Sequence, residues 1–199
     1  MKNKKQIQRM VGIASLAAIV AVLQLIANYI TFGPVSITLA LIPLVIGSII
    51  YGPGAGALLG VIMGGIILTA PSTGSFLNVN PVVTVILCLV KTGAAGAVSG
   101  LLFKIISKKN YKFGVIVASI AAPIVNTGLF AVGCMLFFMP TLTEWAGGSG
   151  AIGFLFLTMI GVNFIIEFVI NSVLTPTVSY IVRIVSKNFV AGSNIEINE

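Results

Sequence analysis

The sequence predicts an all-α integral membrane protein, a bundle of six transmembrane helices with both termini in the cytoplasm. Three observations predict it. Of 199 residues, 58% are hydrophobic and 8% charged, with a mean hydropathy of +1.15, whereas a water-soluble domain carries about a quarter charged residues. The apolar residues form six runs divided by Gly- and Pro-rich breakers. Ten of the eleven Lys and Arg residues fall on connections or ends that would share one side of a six-span chain.

The runs are Val11–Ile30, Val35–Ile50, Gly54–Leu68, Pro81–Ile106, Phe113–Met139 and Ala151–Val185. A helix needs roughly 20 residues to cross the hydrocarbon. The second and third runs are short, and can also be read together as one re-entrant hairpin. Residues 1–190 are expected to form one membrane domain, followed by a polar tail over 191–199. The start, MKNKKQIQRM before an apolar run, imitates a signal peptide. Its apolar run is long for one and no A-x-A site follows, so it reads as a retained first helix.

Lys2, Lys4, Lys5 and Arg9 precede the first run; Lys104, Lys108, Lys109 and Lys112 surround the fourth-to-fifth connection; Arg183 and Lys187 close the last. The connections over 31–34, 69–80 and 140–150 hold none. The basic side is expected to be cytoplasmic. The net charge of +7 is thus a topology signal, spread along one membrane face, and nucleic-acid binding is not expected.

Composition excludes many chemistries. There is no His, and the four acids are all Glu: Glu144, Glu167, Glu196 and Glu199. Ser-His triads, His-metal sites and imidazole proton shuttles are therefore ruled out. Cys88 and Cys134 lie in separate apolar runs and read as small core residues. No GxxxxGK[ST] phosphate loop is present, so this chain does not hydrolyse ATP through one. Neither an enzyme activity nor a cofactor or metal is expected.

The eleventh basic residue is Lys91, about 15 Å into the fourth run. An ionisable group at that depth costs at least about 2.5–3.5 kcal/mol and needs a partner or a wet cavity. Glu167 is the one acid inside a run. Asn163, Glu167 and Asn171 follow i, i+4, i+8 and form one stripe on a helix face. Asn126 and Thr127 follow Pro123 in the fifth run, where the proline frees a carbonyl that the bundle must satisfy. Lys91, Asn126, Asn163 and Glu167 read as the lining of a polar cavity that opens outward. The alternative is that Lys91 and Glu167 pair and the amides join helices; Asn171 reads as structural.

The outer connections are long, uncharged over 70–81, and rich in hydrogen-bonding groups. They are expected to act as lids, adding Asn78, Asn80 and Trp145 to the substrate-binding candidates. Trp145 can stack on a ligand or serve as an interfacial belt aromatic.

Small residues mark contact faces. Ala14 and Ala18 are four apart in the first run, as are Ala17 and Ala21, which lets another helix approach closely. Gly56, Gly60 and Gly64, with Gly96 and Gly100, read as packing within the bundle.

These features together resemble the substrate-binding S components of energy-coupling factor (ECF) vitamin transporters. The resemblance rests on the size, six spans and Ala14-xxx-Ala18, and on LIPLVIGSIIYGPGAGALLG (41–60), NPVVTVILCLVKTGAAGAVSGLLFK (80–104), APIVNTGLFAVGC (122–134) and GVNFIIEFVINSVLTP (161–176). It implies a subunit that binds one small vitamin-like ligand in an outward pocket covered by the outer loops. It further implies docking through the small-residue face of the first helix onto a transmembrane coupling subunit, driven by two cytoplasmic ATPases. Ala14 and Ala18 would then dock the partner, with Ala17 and Ala21 as the competing pair. Lys91, Asn126, Asn163 and Glu167 would contact the ligand; if the ligand is an acid, pantothenate would suit one buried Lys, and a pyrimidine, flavin or pterin is open as well. The rival reading is a stand-alone proton-coupled secondary transporter with Glu167 as the protonated group.

Overall fold

The structure, a computed structural model, describes residues 2–32, 35, 36, 38, 40–148 and 150–188. The expected polar tail over 191–199 lies outside the described residues. The elements in order are α1 (Lys2–Ala27), β1 (Thr31–Phe32), β2 (Val35–Ser36), α2 (Leu41–Tyr51), α3 (Pro53–Ile67), α4 (Pro71–Val79), α5 (Pro81–Ile106), α6 (Tyr111–Phe137), α7 (Met139–Trp145), α8 (Ala151–Gly153), a π-helical stretch (Phe154–Gly161) and α9 (Val162–Asn188). The strands form a minimal antiparallel ladder, Thr31 opposite Ser36 and Phe32 opposite Val35.

Among the described residues, four helices are long and apolar enough to cross a membrane: Lys4–Ala27, Pro81–Ile106, Tyr111–Phe137 and Ala151–Val185. A fifth crossing exists if α3 and α4, bent by 84° at their junction, count as one span. Six full-length spans were expected, and the difference lies at α2. Its 11 residues reach about 16 Å, half the hydrocarbon thickness. Pro43 sets its start: extended backward, the helix would drive the Pro43 ring into the carbonyl four residues earlier. In the first turn, by contrast, the missing N–H costs nothing. Thr38, three residues ahead of α2, is outside any helix and buried, and non-helical backbone within a membrane is tolerated where it is buried in protein or lines a cavity.

The tightest helix contact is α3 on α5, and glycine makes it. A Cβ on Gly56 would collide with the Gly96 carbonyl, one on Gly60 with the Thr92 carbonyl, and one on Gly64 with the Cys88 carbonyl. The spacing of four along α3 is met antiparallel by 96, 92 and 88 along α5, so the backbones touch. The glycines pack within the bundle, as expected.

Basic residues gather at one end. The Arg9 guanidinium donates to the Tyr51 carbonyl at 3.0 Å, at the last turn of α2. Gly100 packs on Pro53, one turn before Lys104. Phe103 meets Tyr111 edge-on at 5.9 Å. The opposite end is aromatic. There the expected loops over 69–80 and 140–150 are partly helical, as α4 and α7, each begun by proline (Pro71, Pro140) in its first turn. Phe76 of α4 makes edge-on contacts with Phe130 at 5.8 Å, Phe138 at 5.2 Å and Trp145 at 5.3 Å.

Candidate functional site

A cavity lies beneath the aromatic end, between α3, α4, α5 and α6. The atom-free space there is about 480 Å³, solvent at the open mouth included. Phe76, Phe130, Phe138, Ile67 and Leu87 form its apolar walls. Ser72, Thr73, Thr84 and Thr38 supply hydroxyls, and Cys88 a thiol. Lys91 is the one charged side chain in the wall.

Helix geometry aims Lys91. Thr84, Leu87, Cys88 and Lys91 follow i, i+3, i+4, i+7 and share one face of α5. Side chains of a helix lean toward its N-terminus, and α5 begins at the aromatic end. The ammonium therefore reaches into the cavity and sits 4.6 Å from the centroid of the Phe130 ring. Such a contact contributes about 0.5–2 kcal/mol, less than burying an ammonium costs. Lys91 is 7% exposed, and among the described residues no carboxylate is in salt-bridge contact with it.

Glu167 does not reach the cavity. It is 5% exposed, and its Oε1 accepts from the Thr38 N–H at 2.8 Å and from the Thr38 hydroxyl. Nδ2 of Asn126 donates to the Thr38 hydroxyl oxygen at 3.5 Å. Glu167 Oε2 and Asn126 Oδ1 are buried without a hydrogen-bond partner. Thr38 thus stands between the two polar groups that were expected to converge: cavity and Lys91 on one side, Glu167 and Asn126 on the other. Among the described residues, Lys91 and Glu167 are not in salt-bridge contact. Glu167 also lies at the approach to the N-terminus of α2, whose partial positive charge favours an acceptor there.

The other expected residues divide. Asn163, Glu167 and Asn171 are all buried, so the stripe is a real inner face of α9. Asn163 donates to the Met159 carbonyl at 3.1 Å and Asn171 to the Glu167 carbonyl at 2.8 Å. Asn80 caps α5, accepting from the Val83 N–H at 3.1 Å, and Asn78 is exposed. Trp145 is half-buried behind Phe76, outside the cavity wall. On α1, Ala14 and Ala18 are exposed, between exposed Met10, Val11 and Val22. Ala17 packs on the core and Ala21 is half-buried.

Thr38 and the Phe76–Phe130–Phe138 wall were not anticipated. Pro43, in the first turn of α2, was the signal for where that helix starts.

A family model for the ECF transporter, substrate-specific component, matches residues 8–179. No curated protein and no solved structure gives a match. The matched range runs from α1 into α9 and takes in the cavity, Lys91, Thr38 and Glu167. This multi-pass membrane chain belongs to the family of substrate-specific components of ECF transporters.

Proposed function

We propose that this substrate-binding subunit captures a small vitamin-like acid through Lys91, on the outer side of the cell membrane. The observation that carries the reading is an ammonium facing a cavity with, among the described residues, no carboxylate in salt-bridge contact. A ligand carboxylate would supply the missing charge, and a short apolar body would rest on Phe76, Phe130 and Phe138. Wall hydroxyls would meet polar edges of the ligand. Pantothenate, with one carboxylate, two hydroxyls and a branched aliphatic head, is the leading candidate. Asn126, Asn163 and Glu167 belong to the support behind the wall in this reading.

The basic end faces the cytoplasm, following the positive-inside rule. Both chain ends and the Lys104–Lys112 connection then lie inside. Ala14 and Ala18 dock a transmembrane coupling subunit, because they form the small exposed patch on α1. Two cytoplasmic ATPases of the complex supply the energy for uptake.

Calorimetry of the purified protein against a vitamin panel tests this. An acid bound at micromolar or tighter Kd, with neutral and cationic vitamins weaker, supports it; no binder, or preference for a cation, refutes it. The rival stand-alone proton-coupled transporter needs Glu167 to meet water from both sides, and a carboxyl covered by Thr38 weighs against it.

A further inference from the structure

We propose that Phe130 is the positioning residue for Lys91: the face of its ring holds the ammonium inside the cavity without neutralising it, and so keeps a cation ready for an anionic ligand. The ligand step rests on the reading of Lys91 as an anion anchor; the hold of the ring on the ammonium does not.

Packing sets the pair opposite each other. α5 and α6 pack antiparallel on either side of the short 107–110 connection. Toward the aromatic end, the Leu87 side chain fills the space that a Cβ on Gly133 would need. Lys91 is one turn beyond Leu87 along α5, and Phe130 is one turn before Gly133 along α6. The register that fits Leu87 to Gly133 therefore also brings Lys91 to Phe130. Lys91 Nζ lies over the ring, 4.6 Å from its centroid, and both residues line the same cavity. The ring has support of its own. Phe76 meets it edge-on at 5.8 Å and is itself packed edge-on against Phe138 and Trp145. Phe130 is thus braced from the aromatic side, whereas Lys91 carries its charge on a flexible four-carbon stem.

The pair differs in kind from a salt bridge. A carboxylate partner would cancel the charge of Lys91 and take up its N–H donors, and among the described residues none is in salt-bridge contact. A ring face attracts the cation through its quadrupole and takes one N–H at most. The charge and the other two N–H donors of the ammonium are not spent on the ring. Without the ring, the stem would carry the ammonium toward water at the cavity mouth, and a ligand would have to draw it back and order it. Phe130 thus acts on the ligand through Lys91, by holding the cation where an anion meets it.

Fluorinated phenylalanines at position 130 test the hold while keeping the shape of the ring, because each added fluorine draws charge off the ring face. Without ligand, the Lys91 Hε NMR signals are expected upfield of those of the other lysines, moving back toward them with each fluorine and joining them in Phe130→Leu. No upfield signal in the wild type overturns the proposal. Affinity for pantothenate, or for whichever acid of the vitamin panel binds more tightly, is the second readout. It is expected to fall stepwise along the series, to about two- to thirtyfold below wild type with three fluorines, at unchanged Tm. Phe130→Tyr keeps the ring face and is expected to stay within about threefold of wild type. Affinity that is flat along the series overturns the proposal. So does affinity that rises, which would show the ring competing with the ligand for the ammonium. If the upfield signal stands and follows the fluorines while no acid in the panel binds, the anion reading fails and the hold on Lys91 remains.

Discussion

Glu167 and Thr38 lie 129 residues apart in sequence, and the carboxyl of one is hydrogen-bonded to both the backbone and the hydroxyl of the other. That contact ties α9 to a residue three positions ahead of α2. It lets Thr38 serve as cavity wall on one side and as a lid over a buried acid on the other. Removing the hydroxyl while keeping the N–H separates these roles. Thr38→Val is expected to weaken ligand binding about five- to tenfold while the protein still purifies as a folded monodisperse species. Unchanged affinity would show that the hydroxyl has no part in the wall.

The α3–α5 contact predicts a pair of opposite outcomes. Gly60→Ala places a methyl against the Thr92 backbone and is expected to destabilise by about 1–3 kcal/mol, read as a lower Tm in detergent. Gly65→Ala, where nothing lies within reach of the added carbon, is expected to leave Tm unchanged or raise it slightly.

Asn80 is predicted to matter for stability and little for ligand. Asn80→Ala removes the cap on α5 and is expected to cost about 0.5–2 kcal/mol. Ligand affinity is expected to change less than threefold, roughly 0.6 kcal/mol. A large affinity loss at constant Tm would return Asn80 to the ligand contacts.

The exposed alanines predict a split between binding and transport. Ala14→Phe or Ala18→Phe is expected to leave ligand binding intact and abolish uptake in membranes that contain the partner subunits. Ala17→Phe, which points into the core, is expected to lower Tm instead. Full uptake in Ala14→Phe and Ala18→Phe would move the docking face elsewhere.

Much of this was legible in the sequence. Long uniform runs of apolar residues make helix the one backbone state that satisfies every N–H and C=O in lipid, so α5, α6 and the last span stand within a few residues of their expected positions, while α1 begins nine residues ahead of its expected start, in the basic segment. The buried stripe of Asn163, Glu167 and Asn171 follows from helical period alone. The half-length α2 did not, because hydropathy alone does not locate the start of a helix within an apolar run; Pro43 carried that information. α4 and α7 read as loops because Ser, Thr, Gly and Asn favour turns in isolation; their Phe76 and Leu142 anchors, buried in the aromatic cluster, override that preference. The Lys91–Glu167 relation was open for a different reason: contact between two distant spans depends on what stands between them, and Thr38 stands there.

The central claim is that a ligand carboxylate completes the charge of Lys91. An experimental structure of the protein with the tightest-binding acid from the panel tests it most directly. The account predicts a carboxylate oxygen within hydrogen-bond distance of Lys91 Nζ and an apolar body against Phe76, Phe130 and Phe138. A ligand seated elsewhere, or held in this cavity with its acid group turned away from Lys91, would contradict it.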